Sequence, residues 1–167
     1  LYVSAWPNIF YGICTVTLGS CHFQKLRTLA VKAMNLTQNG VNPDLQLSCV
    51  CPPLADPEFY SLLSTVMAFR EHHSPDLSQF TLHHLANGRT FSQGPCNSFL
   101  HAIHKIAWSW THADECSDQN GHPVFICRSS KTELRQRLMQ AWQDRILHQT
   151  QELRHTMQGL ADADVRR

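Results

Sequence analysis

The sequence predicts an all-α domain, a small helical bundle with long connections and one minimal antiparallel pair of strands. Three observations carry this reading. Most of the chain places its apolar residues at three- and four-residue spacing, the period of amphipathic helices. Only two short stretches, 45–51 and 123–127, look extended, and each ends in cysteine and leads into an amphipathic helix. Strands this short cannot enclose a core, so they are expected to pair with each other while helices bury the apolar surface. Finally, 167 residues with 43% hydrophobic content make one ordinary domain with a core of its own.

Taken in order, the chain begins with a ten-residue apolar run, 9–18, followed by Gly19 and Ser20. This has the form of a signal-peptide core and cleavage site; an N-terminal strand is the alternative. Residues 1–20 are therefore set apart from a domain over 21–158 and a disordered tail over 159–167. Cleavage before Cys21 would remove Cys14 and leave six cysteines. Ser20 can cap a first helix over 21–36, with Phe23, Leu26, Ala30, Val31 and Met34 on one face and Asn39-Gly40 as its stop. The stretch 40–55 holds three prolines and the alternating Leu45, Leu47, Cys49 and Cys51, which reads as a crossover with a short strand.

Asp56-Pro57-Glu58 supplies a cap, a proline at the first helical position and an acidic first turn, so a helix is expected from there to about His73. Ser74-Pro75-Asp76 starts a shorter helix that Asn87-Gly88 ends. The spacing of Phe99, Leu100, Ile103, Ile106, Ala107 and Trp110 predicts the most apolar helix, over 96–111. Polar residues 116–122 then turn the chain into the strand at 123–127. Ser130-Lys131-Thr132-Glu133 is a capping box for a last helix to about 158, with Leu134, Leu138, Trp142 and Ile146 on its inner stripe.

Seven cysteines exceed what a reducing cytosol favours in a chain this size and lack the spacing of zinc ribbons, which points to an oxidising compartment. Asn35-Leu36-Thr37 is an N-glycosylation sequon and points the same way. The net charge of +1, from 14 basic and 13 acidic residues, gives no field to draw nucleic acid or anionic lipid. No stretch reaches the roughly 18 to 20 apolar residues of a membrane span, so membrane insertion is not expected. Eleven histidines would raise the charge as pH falls through about 6.5.

Several strings resemble the short-chain four-helix cytokines of the interleukin-4 and interleukin-13 group. Asn35-Leu36-Thr37-Gln38-Asn39 resembles the end of the first helix of interleukin-13. Phe69-Arg70-Glu71-His72-His73-Ser74-Pro75-Asp76 resembles the end of the second helix of interleukin-4, and Pro123-Val124-Phe125-Ile126 with Leu134-Arg135-Gln136-Arg137-Leu138 the final strand and helix. The resemblance implies an up-up-down-down four-helix bundle with long crossover loops. It also implies a secreted, extracellular, monomeric ligand, with cell-surface cytokine receptor chains as partners and neither catalysis, cofactor nor metal. In such a bundle Cys51 and Cys116 fall at one end, and their bridge resembles one in interleukin-4. Cys49 with Cys127, or Cys96 with Cys127 and Cys21 with Cys49, remain open for the others, and each bridge would add about 2 to 4 kcal/mol.

Receptor contacts would come from the outer faces of the first, third and last helices: Lys25, Arg27 and Lys32; His101, Lys105 and Ser109; Arg135, Gln143 and Arg145. Lys105 stands three residues before Trp108, as a functional arginine of interleukin-4 stands before its tryptophan. Alanine at Lys105 or Arg27 is then expected to weaken receptor binding without lowering the melting temperature. The first helix departs from the family by offering basic residues where an acidic contact is usual.

Three rivals stand beside this reading. A helical binding subunit, secreted or associated with a viral envelope, would show the same cysteines and sequon. Gly94-Pro95-Cys96-Asn97-Ser98 resembles the nucleophile helix of papain-like proteases, with His122 as the candidate base. His112, Cys116 and Cys127 with Cys96 or His104 form a candidate zinc set.

Overall fold

The computed structural model describes residues 5–13, 18–36, 43, 46–47, 51–86 and 94–164. Among them are six α-helices: α1 (Ala5–Ile9), α2 (Ser20–Ala33), α3 (Pro57–Glu71), α4 (Pro75–Ala86), α5 (Pro95–His104) and α6 (Lys131–Asp164). A 3₁₀ turn (Pro53–Ala55) precedes α3, and β1 (Ser109–His112), β2 (Glu115–Ser117) and β3 (Pro123–Phe125) lie between α5 and α6. The strands form one antiparallel sheet in the order β1-β2-β3, with Cys116 opposite Trp110 on one side and Val124 on the other. The architecture is mixed, six helices with a small three-stranded sheet, and corrects the expected all-α four-helix bundle with two strands.

The correction arises where α5 ends. Ala107 adopts a left-handed conformation with φ of 57°. The Trp108 N–H donates to the Ile103 carbonyl at 3.0 Å and the Ala107 N–H to the His104 carbonyl at 3.0 Å, the paired bonds of a Schellman cap. Ile103 and Trp108, the residues such a cap brings together, are both buried in the same core. Apolar spacing continues to Trp110, so periodicity alone extends the helix, but beyond the cap the same residues alternate as a strand: Trp110 is buried between exposed Ser109 and Thr111. The segment 45–51, expected to pair with 123–127, has Gln46 and Leu47 in helical conformation and Cys51 in a bend, so β3 pairs with β2 instead.

A second Schellman cap closes α2. Asn35, with φ of 59°, takes the left-handed position, and the Leu36 N–H donates to the Val31 carbonyl at 3.0 Å. The helix therefore stops before Asn39-Gly40, which lie outside the described residues. Two starts follow their local chemistry. The Asp56 carboxylate accepts from the Glu58 N–H at 2.8 Å ahead of Pro57, and Ser130 Oγ accepts from the Glu133 N–H at 3.1 Å.

Two apolar clusters result. The larger joins α3, α5, the sheet and the first half of α6 through Phe59, Val66, Phe99, Ile103, Trp108, Val124, Leu134, Leu138 and Trp142. Phe69 stacks on Phe99 at 3.9 Å, and Trp110 meets both rings edge-on, fastening β1 to the helices. Arg70 donates to the carbonyls of Ile126 at 3.0 Å and Ser129 at 2.8 Å and fixes the turn from β3 into α6. The smaller cluster holds Trp6, Phe10, Ile13, Phe23, Ala30, Val31 and Leu47. Residues expected to be an apolar leader thus supply three buried side chains, and the Trp6 indole donates to the Ala55 carbonyl at 3.1 Å. At the other end α6 continues through 159–164, where a disordered tail was expected; residues 165–167 lie outside the described set.

A left-handed alanine is strained relative to glycine by about 1 kcal/mol. Ala107→Gly is therefore expected to stabilise the fold by about that amount and Ala107→Val to destabilise it, as urea unfolding would report.

Candidate functional site

The most concentrated chemistry lies between the two clusters. Arg27, on the inner side of α2, sends Nη2 to Asp56 Oδ2 at 3.0 Å and to Glu58 Oε2 at 2.7 Å, and its Nε meets both Asp56 oxygens at 3.2 Å. Lys105, the C-cap residue just past α5, reaches the other Glu58 oxygen at 2.8 Å and lies 4.4 Å from the centre of the Phe23 ring. The side chains of Asp56 and Glu58 are 7% and 9% exposed. Arg27 and Lys105, expected on an outer face, are 12% and 28% exposed and serve as internal counter-ions.

The two carboxylates respond differently. Burial pushes Asp56 above its ordinary value, and Arg27 with the Glu58 N–H offsets this only in part. Burial also acts to raise Glu58, but Lys105 first, then Arg27 and Arg145, hold it below its ordinary value.

Beside this cluster runs an open groove of about 450 Å³ between the end of α5 and the middle of α6. Lys105, Ile106 and Ala107 line it from the cap that follows α5, Gln119 from the β2–β3 loop, and Ala141, Asp144, Arg145, His148, Gln149 and Glu152 from α6. Gln119 is fixed from both ends: it accepts from the Trp108 indole at 3.1 Å and donates to Asp144 at 3.2 Å. The Arg145 guanidinium lies 4.8 Å from the centre of the Trp142 ring, and its Nη1 is buried with no hydrogen-bond partner.

The remaining expected contact residues separate. Lys25 and Lys32 are exposed on α2, His101 on α5 and Arg135 and Gln143 on α6, while Ser109 is exposed in β1 rather than on a helix. The structure brings together Arg27 with Lys105, on Glu58, Lys105 with Arg145, along the groove, and Lys105 with His101, at a smaller pocket beside Phe23. Asp56, Glu58 and Gln119 were not singled out as site residues. The Asp56-Pro57-Glu58 string signalled a helix start, and nothing local shows that two distant cations converge on it.

The five described cysteines, Cys21, Cys51, Cys96, Cys116 and Cys127, are unpaired in this structure. The expected Cys51–Cys116 bridge is not made because the two lie in different surroundings: Cys116 is buried in the larger cluster, while Cys51 packs on the smaller one, 3.8 Å from Met34 Sδ. Cys96 and Cys127 pack on the larger cluster without bonding, and the pairings with Cys49 fall outside the described residues. Burial, then Asp114 and Glu115, pushes the Cys116 thiol up to about 12; burial, then Asp114, does the same for Cys127. Asn35 is exposed at the α2 cap, as attachment of a glycan requires; Thr37 lies outside the described residues.

The rival chemistries are not assembled. Cys96 Sγ accepts from Thr81 Oγ1 at 3.5 Å, and the candidate base His122 is exposed and lies 3.4 Å from Asp118. Among the described residues no three His, Cys, Asp or Glu side chains are grouped to hold a metal ion, and the zinc set fails because His112 is exposed while Cys116 is buried. Comparison of the chain with protein-family models, with curated proteins and with solved structures finds no match in any of the three.

Arg27→Ala strands two buried carboxylates and is expected to lower stability by about 3 kcal/mol, measured by chemical denaturation. The pH dependence has a definite sign. Because Glu58 lies below its ordinary value of 4.5 when folded, its stabilisation is present above that value and is lost as pH falls through the lower folded value. Asp56 acts oppositely, adding stability toward acid and losing it as pH rises through its raised folded value. Glu58→Gln should therefore reduce the loss of stability below about pH 4.5, read from urea midpoints across pH.

Proposed function

We propose that the chain is a secreted protein ligand that binds cell-surface receptor chains and performs no chemistry of its own. One observation carries the reading. Helices α2, α5 and α6 are locked from within by the Arg27, Asp56, Glu58 and Lys105 ion pairs and the aromatic core, while Lys25, Lys32, His101, Arg135 and Gln143 project outward. Rigid elements that present unpaired polar side chains suit recognition, since little order is lost on binding. The strings similar to the interleukin-4 and interleukin-13 group favour receptors as the partner class; the reading takes nothing from a four-helix topology. Arg27 and Lys105 serve as the frame, so contact is assigned to the residues outside it.

The test is labelled protein from a secretory host, titrated onto a panel of immune and epithelial cells and onto soluble receptor ectodomains. Saturable binding is expected, weakened about tenfold or more by Lys25→Ala with Lys32→Ala or by Arg135→Ala with Gln143→Ala, at unchanged melting temperature. No saturable binding, or equal binding by both double variants, would overturn the reading.

A further inference from the structure

We infer that the pocket between α2, α3 and α5 is a binding site for a tetrahedral oxyanion, a phosphate or sulfate group, held by the hydroxyls of Ser61 and Ser98. The inference goes beyond the receptor-ligand reading and does not depend on it. The pocket offers about 40 Å³, room for roughly three water-sized atoms. Ser61 lines it from α3 and Ser98 from α5, and the two residues are 8% and 4% exposed. Neither hydroxyl has a hydrogen-bond partner among the described residues, and neither is sealed from solvent, so both can be reached from the mouth of the pocket. A helical hydroxyl commonly bonds the carbonyl one turn back, as Thr65 does to Ser61 at 2.9 Å. Ser61 and Ser98 keep theirs free, and buried polar groups without partners are rare enough to mark a place for a ligand.

Charge selects an anion for that place. No carboxylate is among the described residues that line the pocket, whereas Lys105 and His101 both do. Lys105 spends one of its three donors on Glu58 at 2.8 Å. Glu58 is not its exclusive partner, being held by Arg27 at 2.7 Å and attracted by Arg145 as well, so the ammonium keeps donors and field for a guest. Leu18 and Phe23 bracket the start of α2, a 14-residue helix with no side-chain cap and no acidic residue in its first turn. The positive end of that helix's dipole therefore lies beside the pocket without a counter-charge of its own. Volume then chooses among anions. A tetrahedral group presents three oxygens where a carboxylate presents two, and Ser61, Ser98 and Lys105 supply a donor for each.

The experiment titrates the full chain with sodium phosphate and with sodium sulfate, against sodium chloride at matched ionic strength, and follows backbone amides by NMR and the melting temperature. Saturable amide shifts at Ser61, Ser98 and Phe23 are expected, together with a saturable rise in melting temperature. Because phosphate and sulfate also stabilise proteins by exclusion from their surfaces, the control is Ser61→Ala with Ser98→Ala, which deletes the two free hydroxyls. That variant should bind about tenfold or more weakly. If it does not fold, the amide shifts of the unaltered protein decide. A phosphoserine tripeptide and glucosamine 6-sulfate separate the sources of the group. Binding of either as tight as the free ion assigns an ester carried by a larger partner, and binding of the free ion alone assigns the ion itself. No saturation, shifts confined to other surfaces, an equal response to chloride, or equal affinity of the double variant would each overturn the inference. No receptor enters the titration, so its failure leaves the receptor reading to its own test.

Discussion

Four charges enclosed between two apolar clusters hold this fold in register. Arg27 comes from α2, Asp56 and Glu58 from the start of α3, and Lys105 from the end of α5. Removing such groups from water costs several kcal/mol each, and only mutual pairing with good geometry offsets it. Non-directional apolar burial would tolerate many placements of the smaller cluster on the larger. The ion pairs do not, because a displaced α2 leaves Asp56 and Glu58 without Arg27. Asp56 is committed twice, as counter-ion and as the cap of α3, so the start of that helix and the seat of α2 are one structural decision.

What the sequence made legible was local. The caps at Asp56 and Ser130 and the apolar stripes of α2, α3 and α6 depend on neighbours within a turn or two. The errors arose where distant contacts or one unusual backbone angle decided the outcome. Trp108 and Trp110 continue the apolar period of α5, and alanine is a strong helix former, so nothing in the string announces a left-handed residue at 107. Once Ala107 turns, the same apolar residues become the alternating face of a strand, and an expected helical end becomes the edge of a sheet. At the N-terminus, burial of Trp6 and Phe10 with Phe23 is a tertiary event that no spacing encodes.

The site was legible only in part, for the same reason. Lysines and arginines on an amphipathic helix look alike in sequence, and whether each faces a partner or a buried carboxylate depends on elements far along the chain. Arg27 is separated from Asp56 by 29 residues, and Lys105 from Glu58 by more. Lys25 and Lys32 flank Arg27 on the same helix yet lie on its wet side. Arg145 was recognised as a contact residue, but its distinguishing property, a sealed and unmet donor beside an aromatic face, belongs to the assembled groove.

The 34-residue helix α6 belongs to two environments. Leu134, Leu138, Ala141 and Trp142 are buried, whereas from Leu147 through Glu152 every side chain is exposed. The exposed stretch 147–152 rests its order on the helix's own hydrogen bonds, with little apolar burial to assist. Amide exchange along this single element should therefore grade from global-unfolding rates at Leu138 to fraying rates beyond Glu152, making α6 a built-in gauge that separates subglobal opening from unfolding of the whole domain.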